Sequence, residues 1–183
     1  KKHLLAETEN LKSLAITHLS AYSLTLEENT PFAGKKSYKK DSDSLAKFMI
    51  EQIGLAGFKQ YEISNFGQIC KHNLGYWQGK NYLGVGAFSV GFVDGTRYYA
   101  KNGIDAYIAK PTYREKEILS QSELLREHIF LGLRSIVGVE AGRLSEAQIK
   151  RANTLVENEK LLFKNGKFYN PNFLLSDEIA LFI

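Results

Sequence analysis

Seven consecutive residues, 71–77 with the sequence KHNLGYW, combine the side-chain types in this chain that are best suited to chemistry. His72 can donate a proton, coordinate a metal or hold a loop by a hydrogen bond, and Asn73 offers an amide. No second histidine or carboxylate stands nearby at metal-ligand spacing, which argues against a zinc site. The other uses of His72 stay open, while Tyr76 and Trp77 are of the type that packs in protein cores.

A glycine-rich run, 84–89 with the sequence GVGAFS, follows these aromatic residues. It resembles the start of a dinucleotide-binding fingerprint, but the third glycine is missing and no helix follows, so that interpretation is rejected. Either the glycines let another backbone segment come close, or they let a flat cofactor do so. The whole stretch 71–92 has neither the strand period nor the helix period, which predicts an aromatic loop beside an extended glycine run.

Two further side chains are potentially reactive. Glu62 lies in the predicted strand 59–66, where a carboxylate can bind a ligand at the strand end or pair with Lys59. Cys70 is the only cysteine, which excludes an internal disulfide and indicates a reducing cytoplasm. A Cys–His nucleophile would also need an orienting group and an oxyanion hole, so Cys70 is interpreted as an incidental thiol.

The elements that position these residues begin with an α/β part. Residues 2–15 carry leucines near helical spacing, and 16–26 alternates in a way that predicts a buried strand. The next helix has Asp41 or Ser42 as its N-cap and Gly57 as a left-handed stop. The strand–helix–strand order then predicts a parallel strand pair with a right-handed crossover.

A predicted hairpin, a short helix and a helical module complete the chain. Asp94-Gly95 marks the hairpin turn, and the short helix stops before Pro111. Two later helices begin with capping boxes, at Ser120/Glu123 and at Ser145/Gln148. A second hairpin turn is predicted at Asn165-Gly166, and a final helix is predicted to begin near Ser176.

The change of character after the short helix predicts two domains, 1–111 and 112–183. The element order of the second domain resembles a winged helix, which raises nucleic-acid binding as an alternative function. The second helix of this module carries only Lys150 and Arg151 as cations, together with several glutamates. Because phosphate contact requires a positive face, nucleic acid is disfavoured as a partner.

Composition is that of a globular protein, with 44% hydrophobic and 24% charged residues and a net charge of +4 over 183 residues. No apolar stretch approaches the roughly 20 residues that a membrane-spanning helix needs. The sequence does not begin with Met and opens within a predicted amphipathic helix. We therefore expect it to be a piece of a longer protein.

Four stretches resemble one known family in their order and spacing. They are 18–32 (HLSAYSLTLEENTPF), 57–66 (GFKQYEISNF), 71–91 (KHNLGYWQGKNYLGVGAFSVG) and 124–139 (LLREHIFLGLRSIVGV). On these motifs the chain is identified as a member of the oxygen-independent coproporphyrinogen III oxidase-like radical S-adenosylmethionine (SAM) proteins. YEISNF and HNLGYW resemble the haem-chaperone branch, HemW, in particular.

The resemblance implies that the chain is the C-terminal half of such a protein. The expected α+β fold is the remnant of a partial (β/α) barrel, a β-α-β unit plus a β-hairpin, followed by a C-terminal helical, winged-helix-like domain. The family binds a [4Fe–4S] cluster through a CxxxCxxC motif in its N-terminal half, and this chain contains no such motif. SAM and the cluster are thus implied as cofactors of the full-length protein, with the cluster ligands outside these residues.

The family's SAM pocket is completed by the segment after the first strand and by the glycine run. The resemblance therefore implies SAM contacts at Tyr22, Thr25, Gly84, Gly86 and Val90.

A tetrapyrrole is the implied substrate or cargo, with His72, Asn73 and Tyr76 lining its cavity. The implied function is the delivery of haem to acceptor proteins in the cytoplasm. The alternative is oxidative decarboxylation of coproporphyrinogen III by an oxygen-independent dehydrogenase. Cluster-dependent cleavage of SAM cannot occur on these residues alone.

Overall fold

The computed structural model describes residues 1–39 and 42–183 and divides the chain into two compact units, Lys1–Cys70 and Lys71–Ile183. Within the described residues the helices are α1 (Lys2–Ser13), α2 (Asp43–Leu55), α3 (Lys71–Trp77), α4 (Ile104–Ala109), α5 (Gln121–Leu133), α6 (Glu146–Glu157) and α7 (Ser176–Phe182). The strands are β1 (His18–Ser20), β2 (Asn65–Gly67), β3 (Val90–Val93), β4 (Thr96–Tyr99), β5 (Glu115–Ile118), β6 (Val139–Glu140), β7 (Leu162–Lys164) and β8 (Lys167–Tyr169). This mixture of helices and antiparallel sheets confirms the α+β class.

The first unit packs α1 and α2 with the short β1–β2 pair. The Ser42 side chain caps α2 by accepting a hydrogen bond from the Leu45 backbone at 3.2 Å, as predicted, and Asp41 lies outside the described residues. Gly57 has a φ of +95°, which confirms it as the left-handed stop. The core consists of Ile53, Phe58 and Phe66, with Leu11, Leu19, Ala21, Met49, Ile50 and Ala56 packed against it.

The pairing of β1 with β2 is antiparallel, so the predicted parallel pair is wrong. His18 pairs with Gly67 in this ladder. The chain reverses just before β2, where the Tyr61 backbone N–H donates to the Asn65 carbonyl at 3.1 Å. After this reversal, β2 runs in the direction opposite to that of residues 59–61, and it therefore pairs with β1 in antiparallel orientation.

The strand predicted over 16–26 is confirmed only at His18–Ser20. Because β2 is three residues long, the ladder ends at Ser20. Beyond it Tyr22 and Leu24 expose 70% and 53% of their surfaces, so the expected burial of this segment is wrong.

The second unit contains the three-stranded sheet β3–β4–β5. Asp94 and Gly95, with φ of +48° and +78°, form the predicted turn between β3 and β4. β5 lies after Pro111 but pairs with β4, which lies before it. This pairing joins both sides of Pro111 in one sheet, so the structural division after Cys70 does not coincide with the boundary expected at residue 111.

The predicted signals of the terminal module are confirmed by local geometry. Both capping boxes are complete, at the starts of α5 and α6, and the Asn165-Gly166 turn joins β7 to β8. The remaining sheet has the order β6–β8–β7. The core of the module consists of Ile129, Leu133, Val139, Leu144, Ala152, Leu155, Leu161, Phe168, Ile179, Ala180 and Ile183.

One of the two cations on α6 is already engaged within the module. The Arg151 Nε donates a hydrogen bond to the Ile183 backbone oxygen at 3.0 Å. Lys150 and Arg151 are both exposed.

Among the described residues, no helix has both the length and the apolar character that crossing a membrane demands.

Candidate functional site

The motif KHNLGYW forms the helix α3 rather than the predicted loop. In a helix, residues four apart share a face, and this spacing brings His72 to Tyr76 and Asn73 to Trp77. His72 Nε2 and the Tyr76 hydroxyl lie 3.1 Å apart, and their rings meet edge to face at 5.0 Å. His72 is exposed, so the pair presents an imidazole and a phenol to solvent.

Asn73 and Trp77 carry polar atoms that the fold leaves unused. The Asn73 Nδ2 and Trp77 Nε1 atoms are buried, and neither has a hydrogen-bond partner among the described residues. A buried donor without a partner costs about 1–3 kcal/mol. Such atoms are therefore candidates for bonding to a ligand.

An aromatic cleft adjoins this helix within the second unit. Tyr76 meets Tyr82 edge to face at 4.7 Å, and Tyr82 lies 6.2 Å from Phe92. The cleft has a volume of about 560 Å³. It is lined by Tyr76, Trp77, Gln78, Gly79, Lys80, Asn81, Tyr82, Phe92, Asp94, Gly95, Arg97, Leu124, Glu127, His128, Phe130, Leu131, Arg134 and Arg143. Helix α3, the β3–β4 hairpin and α5 thus supply most of its wall.

A charged network lies at one side of the cleft. Arg97 forms ion pairs with Glu127 and with Glu117, the latter at 3.3 Å. Tyr99 donates to the same Glu117 carboxylate, and this hydrogen bond, followed by that from Arg97, lowers the pKa of Glu117. Arg97 is therefore held by carboxylates of the protein itself.

His128 contributes a half-buried imidazole to the cleft wall. Its Nε2 accepts a hydrogen bond from the Glu140 backbone N–H at 3.1 Å, which places the proton of the neutral ring on Nδ1. Burial lowers the pKa of His128, and the nearby positive charge of Arg143 lowers it further. The neutral form is therefore the one that the fold stabilises.

Protonation of His128 should weaken the fold at low pH. A histidine whose folded pKa lies below its unfolded value of about 6.5 contributes its full stability above that value and loses it as pH falls through the folded pKa. We expect the protein to lose more free energy of unfolding between about pH 7.5 and about pH 5 than the variant His128→Gln, whose amide oxygen accepts the same bond without titrating. Urea denaturation at both pH values measures this, and equal losses would contradict it.

The glycines Gly84 and Gly86 of the run have different structural reasons. A Cβ on Gly84 would lie 2.5 Å from the Val90 carbonyl, so close backbone approach explains this glycine. A Cβ on Gly86 would meet no atom within 4 Å, although the φ of +104° favours glycine. The Gly86 N–H points to the Tyr107 hydroxyl at 3.3 Å. Open space for a ligand therefore exists beside Gly86 but not beside Gly84.

Phe88 is an unusual residue in this run. It has a φ of +63°, which is uncommon for a bulky side chain, and it exposes 64% of its surface. The neighbouring Ser89 hydroxyl donates to the Gly86 carbonyl at 2.7 Å and closes the turn. The tip of the glycine run thus holds an aromatic ring out into solvent.

The other predicted site residues lie in the first unit. Tyr22 and Thr25 are both exposed, after the end of β1. Glu62 is 1% exposed, and its Oε2 accepts a hydrogen bond from the Ser64 backbone N–H at 3.1 Å. Its Oε1 is buried with no hydrogen-bond partner among residues 1–39 and 42–183. Glu62 is therefore not the exposed edge carboxylate that the sequence allowed.

Among the residues that line the cleft, Tyr76 alone was predicted as a site residue from sequence. Lys80 follows α3, Arg143 precedes α6, and Trp77 was interpreted as a core aromatic. The two cations are more than 60 residues apart, so no local pattern connects them. The signal that could have been used is the helical spacing of His72 with Tyr76 and of Asn73 with Trp77.

The described residues do not provide the ligands of an iron–sulfur cluster. Cys70 is the single cysteine and is exposed, and no group of three or more His, Cys, Asp or Glu residues in the described part of the chain could hold a metal ion. Cluster binding needs several thiolates. Cluster ligands therefore cannot come from this part of the chain.

Comparison with known proteins gives consistent relatives, although no family model matches. The chain is 32% identical over 148 residues to the heme chaperone HemW of Lactococcus lactis, covering 73% of this chain and 39% of that protein. It is 33% identical over 160 residues to the heme chaperone HemW of Bacillus subtilis, covering 79% and 42%. It is also 30% identical over 156 residues to the radical S-adenosyl methionine domain-containing protein 1, mitochondrial, of Danio rerio, covering 73% and 35%.

A solved structure has a similar fold. The coproporphyrinogen III oxidase HemN from Escherichia coli, described as a radical SAM enzyme, matches with a TM-score of 0.67 over 94% of this chain and 49% of that one, at 10% identity. The chain spans about two fifths of the length of the curated relatives it matches. The chain is therefore similar in sequence to part of the HemW proteins, and its fold is similar to that of the coproporphyrinogen III oxidase HemN.

Proposed function

We propose that this chain is the C-terminal portion of a haem-handling radical SAM protein of the cytoplasm, where it helps to enclose SAM and a tetrapyrrole. The observation that carries the proposal is the exposed His72–Tyr76 pair beside an aromatic cleft. Relatives at about 30% identity are named heme chaperones, which supports haem as the cargo. Haem-accepting proteins would then be the partners.

His72 is the residue that we assign to the haem iron. An exposed neutral imidazole can coordinate iron through one ring nitrogen. Because Nε2 lies 3.1 Å from the Tyr76 hydroxyl, coordination through this atom requires the bond to Tyr76 to open. The Tyr76 hydroxyl therefore competes with the iron for this nitrogen. The buried amide of Asn73, one residue further on, offers an unpaired donor on the same helix.

The glycine run and the segment after β1 are proposed to complete the SAM site. Gly86 has open space beside it, and Val90 lies at the start of β3. Tyr22 and Thr25 are exposed and available for contact. Gly84 would contribute indirectly, by keeping the run close to Val90. When bound, SAM and the cluster would supply radical chemistry, and this chain would supply shape and exclusion of water.

Haem delivery is favoured over oxidative decarboxylation on sequence similarity. The named chaperones are about three times more similar in sequence than the oxidase, which is 10% identical. Incubation of the full-length, reduced protein with coproporphyrinogen III and SAM decides between them. Release of carbon dioxide from the propionate side chains would establish the oxidase, and its absence together with stoichiometric haem binding would support the chaperone.

Replacing His72 with alanine should weaken haem binding. We expect a loss of affinity of about tenfold or more, because the iron would lose its axial ligand. Haem titration followed by the Soret band measures the affinity and reports the ligand change. Tyr76→Phe is the matched variant: it keeps the ring and releases Nε2, so its affinity should be equal to or higher than that of the unaltered protein. An unchanged Soret spectrum in His72→Ala would refute the assignment.

A further inference from the structure

The cleft beside α3 contains hydrogen-bond donors that the protein itself does not satisfy. Lys80 and Arg143 both line it, and neither side chain has a hydrogen bond or an ion pair within the described part of the chain. Trp77 adds a buried indole N–H without a partner. Lys80 and Arg143 are exposed cations that can exchange bound water for an anion, and the Trp77 N–H can donate to an oxygen atom. Together these three groups favour a ligand with oxygen acceptors and negative charge.

The cleft is lined by four cations, Lys80, Arg97, Arg134 and Arg143, and by two carboxylates, Asp94 and Glu127. Glu127 is paired with Arg97, and the Asp94 carboxylate accepts a hydrogen bond from the Asn81 side chain at 2.8 Å. Arg134 is already paired with Asp177, at a distance of 2.6 Å. The cleft thus keeps an excess of positive charge.

Part of the remaining cleft wall is aromatic and apolar. The rings of Tyr82 and Phe92 lie 6.2 Å apart, and Phe130 and Leu131 come from α5. Flat apolar molecules gain contact area on such walls. The volume of about 560 Å³ lies in the range of small-molecule sites.

We propose that this cleft binds the carboxylate-bearing edge of a flat macrocycle, with Lys80 and Arg143 binding the carboxylates and Trp77 donating a further hydrogen bond. The proposal rests on the proposed function, since the tetrapyrrole of that function has this chemistry. Tyr76 connects the two sites, because it contacts His72 and also lines the cleft. The iron and the propionates would thus be bound by different residues.

Iron-free protoporphyrin IX and its dimethyl ester are the probes that isolate the carboxylates. Trp77 is the only tryptophan in the 183 residues and lies in the cleft wall, so its fluorescence lifetime reports on binding there. We expect the free acid to shorten the lifetime saturably and the ester to bind about tenfold or more weakly. Equal affinities for acid and ester would overturn the proposal.

Removal of the two cations provides the second test. The double variant Lys80→Ala, Arg143→Ala should bind the free acid about tenfold or more weakly while its affinity for the ester stays the same. The control Lys164→Ala, Arg126→Ala removes the same charge from exposed positions outside the cleft and should bind both probes normally. An equal loss of affinity in the control variant would show that the effect comes from the net charge of the protein. That result would overturn the proposed site.

The His72→Ala variant separates this inference from the proposed function. Suppose that His72→Ala leaves the Soret spectrum of haem unchanged while the Lys80 and Arg143 double variant still binds the free acid more weakly. Then the assignment of His72 as the iron ligand is wrong, and the carboxylate site in the cleft is supported. If instead the double variant binds the free acid normally while His72→Ala loses the Soret shift, the carboxylate site in the cleft is wrong and the assignment of His72 is supported.

Discussion

Replacing Phe168 with alanine should lower the free energy of unfolding of the second unit by about 3–5 kcal/mol. Phe168 is 1% exposed and lies on β8, the central strand of its sheet. It pairs with Val139 of β6 and with Phe163 of β7, whose ring is 4.8 Å away. Truncation would leave a cavity between the sheet and α5, and the rigid ladder on both sides prevents the strand from closing it.

Urea denaturation followed by Trp77 fluorescence measures this loss, since the single tryptophan lies in the same unit. Phe182→Ala is the matched control. Phe182 exposes 48% of its surface, so the same truncation should cost about 1 kcal/mol or less. Similar losses in the two variants would show that Phe168 is not at the centre of the core.

Replacing Gly84 with alanine should destabilise the second unit by about 1–3 kcal/mol and displace the glycine run from β3. The added Cβ would lie 2.5 Å from the Val90 carbonyl carbon and oxygen and 2.9 Å from the Gly91 nitrogen. These are backbone atoms, so no side-chain rotation relieves the overlap. The bridge between Tyr82 and Phe92, beside the cleft, should be disturbed with it.

Gly142→Ala is the control for this substitution. A Cβ at Gly142 would meet no atom within 4 Å, and its backbone is not left-handed, so the variant should be neutral or slightly stabilising. Urea midpoints of both variants, with the Trp77 lifetime in the folded state, give the comparison. Unaltered stability of Gly84→Ala would mean that the run does not sit against β3.

The close contacts of Gly84 distinguish between the two explanations of the glycine run. The sequence allowed two explanations, close approach of a backbone or close approach of a flat cofactor. For Gly84 the first explanation is sufficient, because Val90 occupies the space. Only Gly86 retains open space, so any SAM contact in this run is proposed to centre on Gly86 and the adjoining backbone.

The local features of this protein could be predicted from the sequence. The capping boxes at Ser120 and Ser145 and the hairpin turns at Asp94 and Asn165 all occur where expected. Each is formed by residues fewer than five apart, whose hydrogen bonds and φ angles depend on side-chain type alone. The family was likewise identified from short motifs in a fixed order.

The tertiary structure decided the features that involve distant residues. The strand–helix–strand order predicted a parallel pair, but the reversal before Asn65 turned β2 antiparallel to β1. The motif around His72 became a helix, although Gly75 and two aromatic residues weaken its helical propensity. The cleft joins Lys80 to Arg143 across more than 60 residues. The direction of a strand and the composition of a cleft depend on which distant segments of the chain pack together. Short-range hydrogen bonds and φ preferences do not determine that packing.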